Sequence, residues 1–144
     1  MARDVTVALA LALALAACRR DRDSGPAAQP LAETAFYQLG LVSPSPCARG
    51  GECRVQLALT AIGGYHLNDR YPFKFLYAID GVDQPADTGT FVRDGAQRGT
   101  LTIAFRAPAT TPAAKVSGTF KLSVCTEDNC EIAEPEVAFT VATR

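Results

Sequence analysis

The stretch "CRVQLALTA", residues 53–61, decides the fold. Val55, Leu57, Leu59 and Ala61 share one face, with Arg54, Gln56 and Thr60 on the other. A period of two is the pattern of a strand buried on one side only. The same alternation recurs in "PFKFLYAID" (72–80), "TLTIAFR" (100–106), "KVSGTFKLSVC" (115–125) and "EVAFTVA" (136–142). Weaker signals place an earlier strand near 36–42 and a short one near 88–92. Turn-forming clusters separate them: "SPSP", "RGGE", "IGG", "IDG", "RDGAQRG" and "APATTP". No segment after residue 36 carries a helical period. About seven short antiparallel strands predict an all-β, immunoglobulin-like sandwich, with a small barrel as the alternative. With no Trp in the chain, the antibody-type cysteine–Trp–cysteine signature is absent.

Composition narrows the function. The chain has 144 residues, a net charge of −1 and one His. That charge gives no basis for nucleic acid as a partner or for a polybasic membrane patch. A single His excludes a His-rich metal site, and no cofactor is expected. The Gly-x-Ser-x-Gly elbow and the phosphate-binding Gly loop are both missing. The acidic run 127–136 lacks the alternating Asp/Asn and Gly of a calcium loop and reads as a solvated edge.

The first residues predict export. "VTVALALALALAA", residues 5–17, is an apolar run of signal-peptide length, too short to span a bilayer. "LAAC", Leu15 to Cys18, resembles the lipobox of bacterial lipoproteins, whose cysteine is acylated and becomes the first residue of the mature chain. That resemblance implies an anchor of two or three acyl chains on Cys18. Arg19 follows in place of the Asp that tends to retain lipoproteins at the inner membrane. The expectation is therefore the outer membrane, with the domain facing the periplasm. Residues 19–34, "RRDRDSGPAAQPLAET", read as a tether with a root-mean-square span of roughly 20–25 Å. The expected organisation is a signal peptide over 1–17, lipidated Cys18 and linker over 18–35, and a sandwich over 36–144.

Four cysteines remain after Cys18, and four allow three pairings. An oxidising compartment favours disulfides. Local pairing, Cys47–Cys53 and Cys125–Cys130, is the simplest, since each pair flanks a turn-like loop. Strand phase turns Cys53 inward with Val55, as a structural anchor. It turns Cys125 outward with Ser117, Thr119, Lys121 and Ser123, where another thiol could reach it. Charge argues against reactivity. Glu127, Asp128, Glu131, Glu134 and Glu136 surround the pair, and no Lys or Arg lies between 122 and 143. Negative neighbours disfavour a thiolate.

"VSGTFKLSVCTEDNCEIAEPEVAFTV", residues 116–141, resembles the amino-terminal periplasmic domain of the thiol:disulfide interchange protein DsbD. There a Gly-containing strand runs into a cysteine, followed by a short loop, a second cysteine and a last strand. "GYHLNDRYPFKF", residues 64–75, is similar to the family's Gly-aromatic-His stretch. The resemblance covers roughly residues 52–142. It implies an immunoglobulin-like fold, Cys125 and Cys130 as the exchanging pair, and a shielding loop around His66 to Tyr71. The chain departs from the family after the second cysteine, where Glu131 and Ile132 replace an aromatic and prolines. The membrane-spanning carrier and the thioredoxin-like domain of that family are not expected here.

His66, the lone His, reads as a proton carrier beside the cysteine loop or as a backbone-bonded loop residue. The Phe73, Phe75 and Tyr77 stripe reads as core. Two functions follow. The first is a membrane-anchored lipoprotein whose disulfide-clipped sandwich is a non-enzymatic interaction or structural domain for a periplasmic partner. The second is a thiol–disulfide exchange module using Cys125 and Cys130.

Overall fold

The computed structural model describes residues 28–83 and 87–144. The expected signal peptide and Cys18 lie outside the described residues. The described chain is all-β, with ten strands and no helix. No helix among the described residues is long and apolar enough to cross a membrane.

One sheet has five strands in the order β1, β2, β3, β7, β6: Ala28–Glu33, Tyr37–Val42, Glu52–Ala61, Arg98–Arg106 and Thr90–Arg93. The second is built around β8, Ala113–Cys125. Along one edge of β8 run β10 (Glu136–Ala142) and then β9 (Cys130–Ala133). Along the other run β5 (Lys74–Ile79) and then β4 (His66–Leu67). All named strand pairs are antiparallel.

The alternation sets the inner faces. Cys53, Val55, Leu57, Leu59 and Ala61 of β3 are buried, as are Leu101, Ile103 and Phe105 of β7. Facing them are Phe75, Tyr77 and Ile79 of β5, Val116, Phe120, Leu122 and Val124 of β8, and Val137, Phe139 and Val141 of β10. They form one continuous core. The aromatic stripe is core, as its period of two implied. The Tyr77 hydroxyl donates across the sandwich to the Ala104 carbonyl at 3.3 Å. Phe75 and Phe139 lean towards each other across β8, ring centroids 6.3 Å apart. Between their strands Gly118 presents no side chain.

Three details differ from the sequence reading. There are ten strands, not about seven, because β1, β4 and β9 show no hydrophobic alternation. The tether does not reach residue 34: Ala28–Glu33 pairs with β2 as an edge strand. Pro30 fits there, since an edge need not use every N–H. The third concerns Cys125 and belongs to the site below.

The Cys47–Cys53 disulfide ties the two sheets at one end. Cys53 is the second residue of β3, opposite Phe105, and is 1% exposed. The Cys47 N–H donates to the Ala142 carbonyl at 3.2 Å, and the Arg144 N–H donates to the Cys47 carbonyl at 3.0 Å. Cys47 thus extends the β10 side while its sulfur holds β3.

Gly118→Ala should lower the melting temperature. An added Cβ would meet the Leu76 carbonyl oxygen at 2.2 Å and Tyr77 Cα at 2.6 Å, so backbone must move. The expected cost is about 2–3 kcal/mol, a fall of roughly 10 °C by calorimetry. A second expectation concerns alkaline pH. Burial, then the nearby Asp87 charge, pushes the Tyr77 phenol up to about 12 from 10.0. Burial also raises Tyr37. The unfolded chain ionises these phenols first, so stability present below pH 10 falls as pH rises towards 12. Melts across that range, with phenolate absorbance, check it.

Candidate functional site

Cys125 ends β8 and Cys130 begins β9, directly opposite one another in the hairpin. Their side chains form a disulfide. Phe120 donates its N–H to Pro135 on the β9–β10 edge, at 3.0 Å. Alternation then turns the Cys125 backbone towards β4, so Cys125 and Cys130 occupy a non-hydrogen-bonded pair. Such pairs bring Cα atoms closest, and here they are 4.0 Å apart. The disulfide therefore closes the hairpin without displacing a ladder bond. The turn is built by Thr126. Its N–H donates to the Asn129 carbonyl at 2.7 Å, and its hydroxyl oxygen accepts from the Asn129 N–H at 3.2 Å.

The register lays out what surrounds the pair. His66 of β4 is the partner of Cys125 on the other edge, so His66, Cys125 and Cys130 form one row on the outer face. Ser123 and Ile132 are paired in the next row. Lys121 follows, bonded to Glu134 at 3.0 Å. That hydrogen bond, together with the carboxylate's charge, raises the Lys121 pKa. Glu127, Asp128 and Glu131 are exposed around the turn.

Strand phase did put Cys125 on the outer face, but that face is covered at this end. Cys125 is 5% exposed and Ser123 is 0% exposed, whereas Cys130 is open to solvent. Over Ser123 lies the loop that leaves β4. Asn68 donates its N–H to the Ser123 carbonyl at 3.0 Å. Its side-chain amide donates to Ser123 Oγ at 3.2 Å and reaches Cys130 Sγ at 3.9 Å. The outward, solvent-facing Cys125 of the sequence reading is corrected on this ground. The accessible member of the pair is Cys130.

Arg93, from β6 of the other sheet, fixes this loop. Its guanidinium donates to the Asn68 carbonyl at 2.6 Å and to the Leu67 carbonyl at 3.5 Å. It also pairs with Asp69 at 3.1 Å and lies 5.7 Å from the centre of the Phe73 ring. Phe73 stacks on Phe91 at 4.3 Å. Phe91 occupies the space over Gly99, where an added Cβ would sit 2.2 Å from its ring. The loop over the disulfide is thus anchored to the core through two aromatic rings and one Arg.

Sequence reasoning found Cys125, Cys130 and His66, and the structure brings them into one row. It missed Asn68, Ser123 and Arg93. "HLND" carried a usable signal for Asn68, a residue type whose side chain caps its own turn. Its Oδ1 accepts the Arg70 N–H at 3.1 Å. No local signal marks Arg93. The other disulfide has no such setting, since Cys53 is sealed in the core opposite Phe105. A groove of about 640 Å³ lies beside it under Val42–Cys47, and there Arg54 is paired with Glu52 at 2.9 Å. Among the described residues, no group of three or more His, Cys, Asp and Glu could hold a metal ion.

Arg93→Ala should free the loop and leave the sandwich folded. Losing hydrogen bonds from a charged donor costs about 1.5 kcal/mol or more. Amide exchange at Asn68 and Tyr71 should then speed up by about tenfold, with β3 and β7 still protected. Hydrogen-exchange mass spectrometry reads both.

No protein-family model, no curated protein and no solved structure matches the chain. Function has to be read from the site itself.

Proposed function

We propose that the protein is an exported lipoprotein, held on a membrane by acylated Cys18, whose sandwich offers the Cys125–Cys130 disulfide for thiol–disulfide exchange with a periplasmic protein. The observation that carries this reading is the unequal exposure of the two cysteines. Cys125 is 5% exposed, and its partner Cys130 is open at the end of the fold. A thiolate of the partner attacks Cys130 Sγ. The S–S bond breaks, its electron pair leaves on Cys125 Sγ, and a mixed disulfide forms. The partner's second thiolate then attacks its own sulfur in that mixed disulfide and releases Cys130 as the thiolate. The partner ends oxidised, and this chain ends as a dithiol after taking up two protons.

Chain direction supports the placement. Ala28 pairs with Val42, at the end that carries Cys47–Cys53. Cys125 lies at the opposite end of β8, about 40 Å away for 13 residues of strand. A lipid on Cys18 would hold the first end near the membrane and present the second to the periplasm. The lipobox resemblance and Arg19 favour the outer membrane.

A second reading keeps the sandwich as an interaction or structural domain with both disulfides as clips. The acidic surroundings favour it: Glu127, Asp128 and Glu131 stand around the pair, and Lys121 on that face is bonded to Glu134. The reduction potential of Cys125–Cys130 separates the two. Glutathione equilibration of the full chain, with alkylation and peptide mass spectrometry, measures it. Exchange predicts a potential near about −200 mV, and a value below about −300 mV means a clip. Cys125→Ser combined with Cys130→Ser should then abolish exchange with little change in melting. A clip would instead lose roughly 2 kcal/mol.

A further inference from the structure

We propose that the side-chain amide of Asn68 is the donor that holds Cys130 as a thiolate once the disulfide is opened. The inference rests on the exchange reading for its use, but the thiolate can be measured without any partner.

The amide's orientation is fixed from several sides. Oδ1 accepts the Arg70 N–H at 3.1 Å, so Nδ2 must face the hairpin. The backbone N–H is bonded to Ser123 at 3.0 Å, and the carbonyl accepts from Arg93 at 2.6 Å. Nδ2 carries two hydrogens. One serves Ser123 Oγ at 3.2 Å, on a fully buried residue. The other points to Cys130 Sγ at 3.9 Å. A disulfide sulfur is a weak acceptor and a thiolate a strong one. A donor already in place therefore favours the charged form over the neutral thiol. The charged and titratable groups around it are Glu127 and Asp128 of the turn, Glu131 of β9, His66 of β4 and Asp69 of the loop. Asp69 is paired with Arg93, and Lys121 with Glu134. The acidic members oppose the thiolate. The Asn68 dipole offsets them without adding a charge.

In the reverse direction of exchange the consequence is direct. The Cys130 thiolate attacks a partner disulfide, forms a mixed disulfide and releases one partner thiolate. Cys125 then attacks Cys130 Sγ, closes the Cys125–Cys130 bond and releases the second. Cys130 must be ionised for the first step, and Asn68 sets how often it is.

The test is the pH midpoint of Cys130 alkylation by iodoacetamide. It uses the full chain carrying Cys125→Ser, with each cysteine assigned by peptide mass spectrometry. Asn68→Asp keeps the acceptor for the Arg70 N–H but removes the donor. It should raise the midpoint by about one pH unit, a roughly tenfold loss of thiolate at fixed pH. Asn68→Ala should raise it less. Asn68→Asp also adds a negative charge beside the sulfur, so Asn68→Ala decides: a midpoint unchanged in Asn68→Ala would overturn the proposal whatever Asn68→Asp does. Should both variants unfold, the Asn68 side-chain amide resonances in the Cys125→Ser chain decide: they must shift with the Cys130 midpoint, and flat resonances overturn the proposal. A wild-type disulfide that a dithiol protein cannot reduce would remove the exchange reading and leave the midpoint result standing. Rapid exchange with unchanged midpoints would do the reverse.

Discussion

The register of β8 is the constraint on which the rest depends. Thirteen residues pair with β10 and β9 along one edge and with β5 and β4 along the other. A slip of one residue would turn Val116, Phe120, Leu122 and Val124 out of the core. It would also separate Cys125 from both Cys130 and His66. Core and site are thus set by the same hydrogen-bond ladder. Gly118 stands near the middle of that ladder, where the backbone of Leu76 and Tyr77 leaves no room for a Cβ.

The two disulfides mark the two ends of the sandwich and differ in kind. Cys47–Cys53 joins the sheets where β3 begins and β10 ends, with Cys53 sealed in the core. A sulfur there can anchor but is out of a partner's reach. Cys125–Cys130 closes a single hairpin at the far end, with one residue open. Ile132, 65% exposed, sits in the row beside it.

Much of the fold was legible because one-sided burial leaves a period of two. β3, β7, β8 and β10 carry it over seven to thirteen residues, long enough to be seen. β1, β4 and β9 were not legible. β1 is largely exposed, β4 has two residues, and β9 lies inside an acidic run. The site was legible in its cysteines and His66, which are rare residue types at telling positions. Its cover was not. Strand phase gave the face of Cys125 correctly but says nothing of what lies on that face. A loop from residue 68, held by an Arg from the other sheet, lies against Ser123 and Cys130, and only the fold brings it there.

The same contrast bears on the chemistry. Counting charges along 122–143 gives only acids and makes a reactive cysteine look implausible. In three dimensions a side-chain donor reaches the open sulfur from 62 residues away in sequence. It is a neutral amide whose carbonyl end is tied to a backbone N–H and whose main chain is tied to Ser123 and Arg93. On the proposed reading, a donor locked in this way loses little freedom when it meets a thiolate. Arg93 reaches the sulfur only through Asn68: its charge is spent on the Asp69 carboxylate and two carbonyls, and what arrives at Cys130 is a fixed dipole. On the proposed reading the dipole supports the thiolate at contact range, while the acidic residues around the turn oppose it from further away.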